Sequence, residues 1–242
     1  GFGLGEALRR RLDLPVRLDN DVNAFSLAEW MWGAGERRPE VVFLTLGTGI
    51  GGGLVVGGAL RRGSRGFAGE PGHVTIDRNG IECACGNRGC AERYVGNRDI
   101  VAAARRHPGF AADARLREAD PLTPEAISRA AEQGSKTARE VMHDAGTALG
   151  SLLVTLVNLL NPERVVIGGG VAQAGPLILD PAREHLRRHS LVARHAAPEI
   201  RAAGLGPEAG LLGAAALLLE DASSLERGDD HAQGVGGPHR GR

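Results

Sequence analysis

The chain has 242 residues, 42% of them hydrophobic, which is enough for one large or two modest domains with a real core and excludes a disordered protein. Its 29 basic and 29 acidic residues cancel, which excludes the electrostatic footprint of a nucleic-acid or anionic-membrane binder. Lys136 is the only lysine, so a P-loop lysine is ruled out, and any polyphosphate must be held by backbone N–H groups, arginine or a metal.

Residues 1–5 read as the middle of a longer segment, with the natural N-terminus expected upstream. Residues 6–12 are expected to form a short helix and 15–18 a strand. Asp19-Asn20-Asp21-Val22-Asn23 then opens a helix that runs to about Trp32, with Phe25, Leu27, Ala28, Met31 and Trp32 on its apolar face and Gly33 and Gly35 at its end. The plain reading of Asp21 is an N-cap, for which Asp and Asn are preferred. Yet Asn20, Asp21 and Asn23 put more polar groups at one helix start than capping requires, and the surplus suits recognition of a polyhydroxylated ligand.

Residues 41–46 read as a β-branched and aromatic strand. The run Gly47-Thr48-Gly49-Ile50-Gly51-Gly52-Gly53 is expected to turn it back into a second strand at 54–56. A plain hairpin needs one or two glycines, and five in seven residues points to backbone N–H groups wrapped around phosphate oxygens. The dinucleotide-binding fingerprint does not fit, because a strand rather than a helix follows. Gly57-Gly58 is a hairpin turn, 61–72 a polar, glycine-rich loop carrying Glu70, and 74–76 a short strand.

All three cysteines fall in Cys83-Ala84-Cys85-Gly86-Asn87-Arg88-Gly89-Cys90, and His73 lies ten residues before the first. Three thiolates and an imidazole are the complement of a closed tetrahedral Zn²⁺ site, with no ligand position vacant, and so a structural one. A disulfide between two of the three, or three unrelated reduced thiols, are the alternatives. With no signal peptide and no apolar run long enough to cross a bilayer, the chain reads as cytoplasmic, a compartment that disfavours the disulfide. A metal on one imidazole nitrogen of His73 makes the other a defined hydrogen-bonding group. Glu70 precedes His73 by three residues and Glu92 follows Cys90 by two, so the same loop positions both.

Beyond Glu92 the pattern is helical at 98–106, at 124–132 after Thr123 and Pro124, and at 135–160, where 149–160 is apolar enough to be deeply buried. Asn161-Pro162 stops that helix. A buried strand at 164–167 leads directly into Gly168-Gly169-Gly170, where a planar ring or ribose can lie against backbone. A helix at 176–188, a strand near Ile200 and a helix at 208–219 complete the domain, and 221–242 reads as a disordered tail. Strands alternating with helices, together with the early hairpin, give an α/β fold with a mixed sheet.

Taken together, these segments resemble the ROK family of sugar kinases and sugar-responsive repressors over about residues 15–219. The pieces that carry the resemblance are Asp19-Asn20-Asp21-Val22-Asn23-Ala24, Gly47-Thr48-Gly49-Ile50-Gly51-Gly52-Gly53, Gly69-Glu70-Pro71-Gly72-His73 and Cys83-x-Cys85-Gly86-x-x-Gly89-Cys90-x-Glu92. Residues 89–99 look most like the bacterial glucokinase branch. The resemblance implies an actin-like ATPase (ribonuclease H-like) fold, two α/β lobes around a cleft. Residues 1–23 and 205–220 would be what is present of a small N-terminal lobe, and 24–204 the large lobe with its zinc loop at 73–92. It implies ATP-dependent phosphorylation of a hexose, glucose first, at the 6-hydroxyl. Asn20, Glu70, His73 and Glu92 would hold the sugar and Asp21 would be the general base. Gly47, Thr48, Gly49 and Gly51 would face the phosphates of ATP with Mg²⁺, and Gly168, Gly169 and Gly170 would lie near adenosine. His73, Cys83, Cys85 and Cys90 would bind zinc in a homodimer or larger oligomer. Family members begin with an Asp-x-Gly-Gly-Thr phosphate turn that nothing before Asp19 matches, so most of the N-terminal lobe is expected upstream, with either that turn or a winged helix in it, and activity is an expectation of the longer protein rather than of this stretch alone. Another hexose kinase, such as one for N-acetylmannosamine, a sugar-sensing repressor with an N-terminal winged helix, and an inactive zinc-stabilised binding module are the alternative readings.

Overall fold

The computed structural model describes residues 3–226, the side chains of 221–226 excepted. In chain order its elements are α1 (Leu4–Leu12), α2 (Asp21–Trp32), β1 (Val41–Leu46), β2 (Ile50–Val56), β3 (Ala59–Leu60), α3 (Glu92–Val95), α4 (Asn97–Arg106), α5 (Ala114–Arg117), α6 (Pro124–Glu132), α7 (Lys136–Leu160), β4 (Arg164–Gly168), α8 (Pro176–His189), β5 (Glu199–Ala202) and α9 (Ala209–Glu226). Short 3₁₀ turns occupy Pro71–His73, Val171–Ala174 and Gly206–Glu208.

The strands form one mixed sheet in the order β3-β2-β1-β4-β5. β2 is antiparallel to both β1 and β3, whereas β4 is parallel to β1 and to β5. β1 lies in the middle, and its run Val41, Val42, Phe43 and Leu44 is buried without interruption, as a strand covered on both faces should be. Successive side chains on a strand point to opposite faces. Val41, Phe43, Val55 and Val166 therefore pack under Leu27 of α2 and Ala216 of α9. Val42, Leu44, Leu46, Val165 and Ile167 pack against the larger layer that includes α4, α6, α7 and α8.

Several expectations from the sequence change here. Residues 15–18 are not a strand, because none of the five strands runs beside them to complete a ladder. The strand at 74–76 shrinks to a single bridge between Thr75 and Cys90. α7 is buried on one face only, through Leu149, Leu152, Leu153, Leu156 and Val157, while Leu159 is exposed. An 18-residue window of this 25-residue helix has a mean hydropathy of 1.2, and its buried face is committed to the core. α9 continues to Glu226, so 221–226 is helix rather than disordered tail, and 227–242 lie outside the described residues.

Candidate active site

The opening of α2 sets the first group of candidate residues. Asn20 is extended, with φ −64° and ψ 144°, and its side chain accepts from the backbone N–H groups of Val22 (2.8 Å) and Asn23 (3.2 Å). Asn20 is therefore the N-cap, which corrects the plain reading of Asp21. Asp21 occupies the first helical position, where the helix dipole favours an anionic carboxylate. It is exposed, and its Oδ1 accepts from Val22 N at 2.9 Å. Asp19 Oδ1 accepts from Asn20 N (2.8 Å) and from Asn23 Nδ2 (2.7 Å), fixing the turn from behind.

β2 is the element on which the other candidates converge. Its glycines belong to the strand and not to the turn before it, again unlike the expectation from the sequence. A Cβ on Gly51 would lie 2.5 Å from Val22 Cγ2, and one on Gly53 would lie 2.6 Å from Ser26 Cβ. A Cβ on Gly52, on the opposite face, would lie 2.6 Å from Pro71 Cδ. Bare backbone thus lets α2 seat on one face of β2 and the Pro71–His73 turn on the other. Gly51 is pressed against Val22, so the turn proper is Gly47-Thr48-Gly49. That turn is pinned by two contacts: Asn97 N donates to Gly47 O at 2.9 Å, and Glu92 Oε2 accepts from Ile50 N at 3.2 Å. Asn97 gave no signal in the sequence beyond its place at the head of a helix.

Gly168 ends β4, and Gly169 follows at φ 92° with space for a Cβ closed by Leu46, whose carbonyl carbon would be 2.7 Å away. Beside this run is a cavity of about 360 Å³ lined by Phe25, Ile167, Gly168, Gly169, Ala203 and Pro207. A second, of about 220 Å³, adjoins it at Gly170 and Gln173 and carries Glu125 and Arg129. Both glycine runs therefore sit where β1 and β4 end, the edge at which open α/β sheets take their ligands. Lys136 stands exposed at the head of α7 beside Glu140.

The histidine and the three cysteines come together. Their ligand atoms all lie within 4.8 Å of one another. Cys85 Sγ is 3.7 Å from Cys90 Sγ, and Cys83 Sγ is 3.7 Å from His73 Nδ1. Tetrahedral bonds of ~2.3 Å place neighbouring sulfurs about 3.8 Å apart, whereas a disulfide needs about 2.05 Å. All three cysteines are free, so the disulfide alternative fails and the donor set fits zinc. The loop is held by the bridge between Glu82 and Arg88 and by Cys83 N donating to Asn87 O at 2.8 Å. The Asn87 backbone holds the Cys85 thiol below its ordinary value, while burial, aided by the neighbouring thiols, pushes Cys90 up to about 12. A buried thiol that resists ionisation among other thiols becomes a thiolate readily only beside a cation.

The family model described as ROK family matches residues 1–221. A glucokinase from Halalkalibacterium halodurans is 35% identical over 234 residues, covering 95% of this chain and 71% of its own length. A solved ROK family glucokinase from Streptomyces griseus, in complex with glucose and AMPPNP, is 37% identical with a TM-score of 0.77, over 88% of this chain and 71% of that one. A solved ROK family transcriptional regulator, a homolog of the Escherichia coli MLC protein, is 29% identical with a TM-score of 0.82, over 90% of this chain and 55% of that one. The mixed sheet and its covering helices thus have the actin-like ATPase fold of the sugar kinases. Motifs, fold and similarity agree that the chain belongs to the ROK family.

Proposed function

We propose that the chain phosphorylates a hexose, glucose first, at its 6-hydroxyl with ATP and Mg²⁺. The observation that carries this reading is the division of labour at the start of α2. Asn20 takes the cap, which leaves the Asp21 carboxylate exposed at the first helical position, at the same sheet edge as both glycine runs. The similarity to glucokinases at 35% and 37% identity supports it.

Phosphoryl transfer asks a protein for positioning and charge stabilisation more than for covalent chemistry. In this reading Asn20, Glu70, His73 and Glu92 hold the hydroxyls, and Asp21 takes the proton of the attacking one. Gly47, Thr48 and Gly49 offer backbone N–H groups toward phosphate oxygens, and the cavity beside Gly168–Gly170 takes the nucleoside. Gly51 contributes by admitting Val22 rather than by touching phosphate. His73, Cys83, Cys85 and Cys90 hold a zinc ion that fixes the loop, with His73 Nδ1 toward the thiols and Nε2 left for a sugar hydroxyl. Residues 24–204 would form the large lobe of the cleft, with 1–23 and 205–220 contributing to the small one.

The second reading, a sugar-responsive repressor, is favoured by the TM-score of 0.82 to the transcriptional regulator. Turnover decides between them. A coupled assay of the full-length protein with glucose and ATP is expected to show activity, and Asp21→Asn in that protein is expected to keep glucose binding while losing about 10²–10⁴-fold in kcat, the contribution of a positioned base. Glucose binding with no phosphoryl transfer supports the repressor. Near-normal turnover in Asp21→Asn rejects Asp21 as the base.

A further inference from the structure

Arg62 follows β3 and is half-buried, with 34% of its side chain exposed. Its guanidinium is divided between two carboxylates. Nε donates to Asp19 Oδ2 at 2.6 Å, while Nη1 and Nη2 donate to Glu220 Oε1 at 3.2 Å and Oε2 at 2.5 Å. Asp19 is only 11% exposed and Glu220 24%, so both pairs are shielded from the screening that weakens surface ion pairs. The other Asp19 oxygen holds Asn20 N and the side chain of Asn23, which is 2% exposed. Asp19 thus grips Arg62 with one oxygen and the opening turn of α2 with the other. The chain that leaves Arg62 leads through 63–69 to Glu70, so one arginine joins the two segments that bear Asn20, Asp21 and Glu70 and ties both to α9.

We infer that Arg62 is a positioning residue: through Asp19 it sets the turn that carries Asn20 and Asp21, with Glu220 of α9 as its anchor. The inference deepens the hexose-kinase reading and rests on it. A planar fork that satisfies two carboxylates at once fixes the angle between them, which a lysine point charge does not. Rotation of Asp19 would release Asn20 N and Asn23 Nδ2 together. It would loosen the cap and move the exposed carboxylate next to it.

The test combines glucose titration calorimetry, amide hydrogen exchange and thermal unfolding of the 242-residue chain. Arg62→Met keeps the apolar stem and removes the fork. It is expected to raise the glucose Kd about tenfold and to speed exchange at Val22 and Asn23 N–H, with β1 and α7 amides as protected as before. Asp19→Asn is expected to do the same. Because both act through one contact, the double variant should be no weaker than either single one. Arg62→Lys should recover part of the loss, about threefold from the original Kd, and serves as the test should Arg62→Met not fold. Unchanged Kd, exchange that rises throughout the molecule, or additive effects in the double variant would overturn the inference. A flat glucose titration of the unaltered chain would instead reject the hexose reading itself.

Discussion

Arg164 is the largest side chain sealed inside the molecule, and it shows how a single residue can carry an electrostatic obligation. Its guanidinium reaches Glu36 at 3.0 Å and Glu199 at 2.6 Å and donates to the backbone oxygen of Ala34. Hydrogen bonding to Arg164 holds the Glu36 carboxyl below its ordinary value. Hydrogen bonds from Arg201 first, and then Arg164, do the same for Glu199. Both folded values lie below the unfolded ones. Their contribution to stability is therefore fully present above about pH 5 and is lost as pH falls through the folded values. The double variant Glu36→Gln/Glu199→Gln is expected to melt lower than the original chain at pH 7, where it leaves a buried cation without its anions. The two should melt closer together at pH 3.5. Parallel Tm-against-pH curves would show that these carboxylates do not govern acid unfolding. Glu29 is the complementary case, a fully buried carboxylate that accepts from Ala34 N, Gly204 N and Leu205 N at 2.8–3.0 Å and so needs no cation.

At the scale of elements, β2 decides the geometry. Its glycines let a helix and a turn approach from opposite faces, and each approach brings polar groups to the same edge. Gly52→Ala introduces one methyl group against Pro71. Gly52 has no positive φ, so the cost is steric and falls on the Glu70–His73 segment. Overpacking of this kind costs ~1–3 kcal/mol. The expected result is a lower Tm and a glucose Kd raised about tenfold, read by thermal unfolding and titration. Unaltered glucose affinity in a destabilised variant would separate this turn from the sugar site. The caps show the opposite economy. Thr123 accepts from Ala126 N at 3.2 Å and Ser135 from Ala138 N at 2.9 Å, so α6 and α7 begin where their own sequences place them.

At the scale of the whole molecule, the cysteine loop links parts that are distant in sequence. It joins His73, in the turn seated on β2, to Cys90, immediately ahead of α3, and α3 begins with the Glu92 that accepts from β2 at Ile50. In the proposed reading, loss of a zinc ion held there is therefore felt at the proposed sugar site as well as in stability. Cys85→Ser is expected to lower zinc content on elemental analysis and, because the loop that carries His73 and Glu92 loses a ligand, to weaken glucose binding in titration. A zinc-free sample that binds glucose normally would leave the loop with a purely structural part. Whole-molecule packing also explains α7, which carries the hydropathy of a membrane span and yet lies with one face in the larger core.

What the sequence determined by itself was local or compositional. The cap and proline fixed α6 at Pro124–Glu132, the β-branched run fixed β1 at Val41–Leu46, and the cysteine spacing announced a tetrahedral donor set with His73. Each rests on neighbours in one short stretch, 17 residues apart at most for His73 and Cys90, whose chemistry the chain carries wherever it folds. Tertiary structure alone decided that Gly51–Gly53 are strand, that 15–18 form no strand, and that Arg62 closes on Asp19 and Glu220. These depend on what arrives from the far side of the sheet or from 43 and 158 residues away. No local preference encodes a contact whose partner is brought into place only by burying the same core.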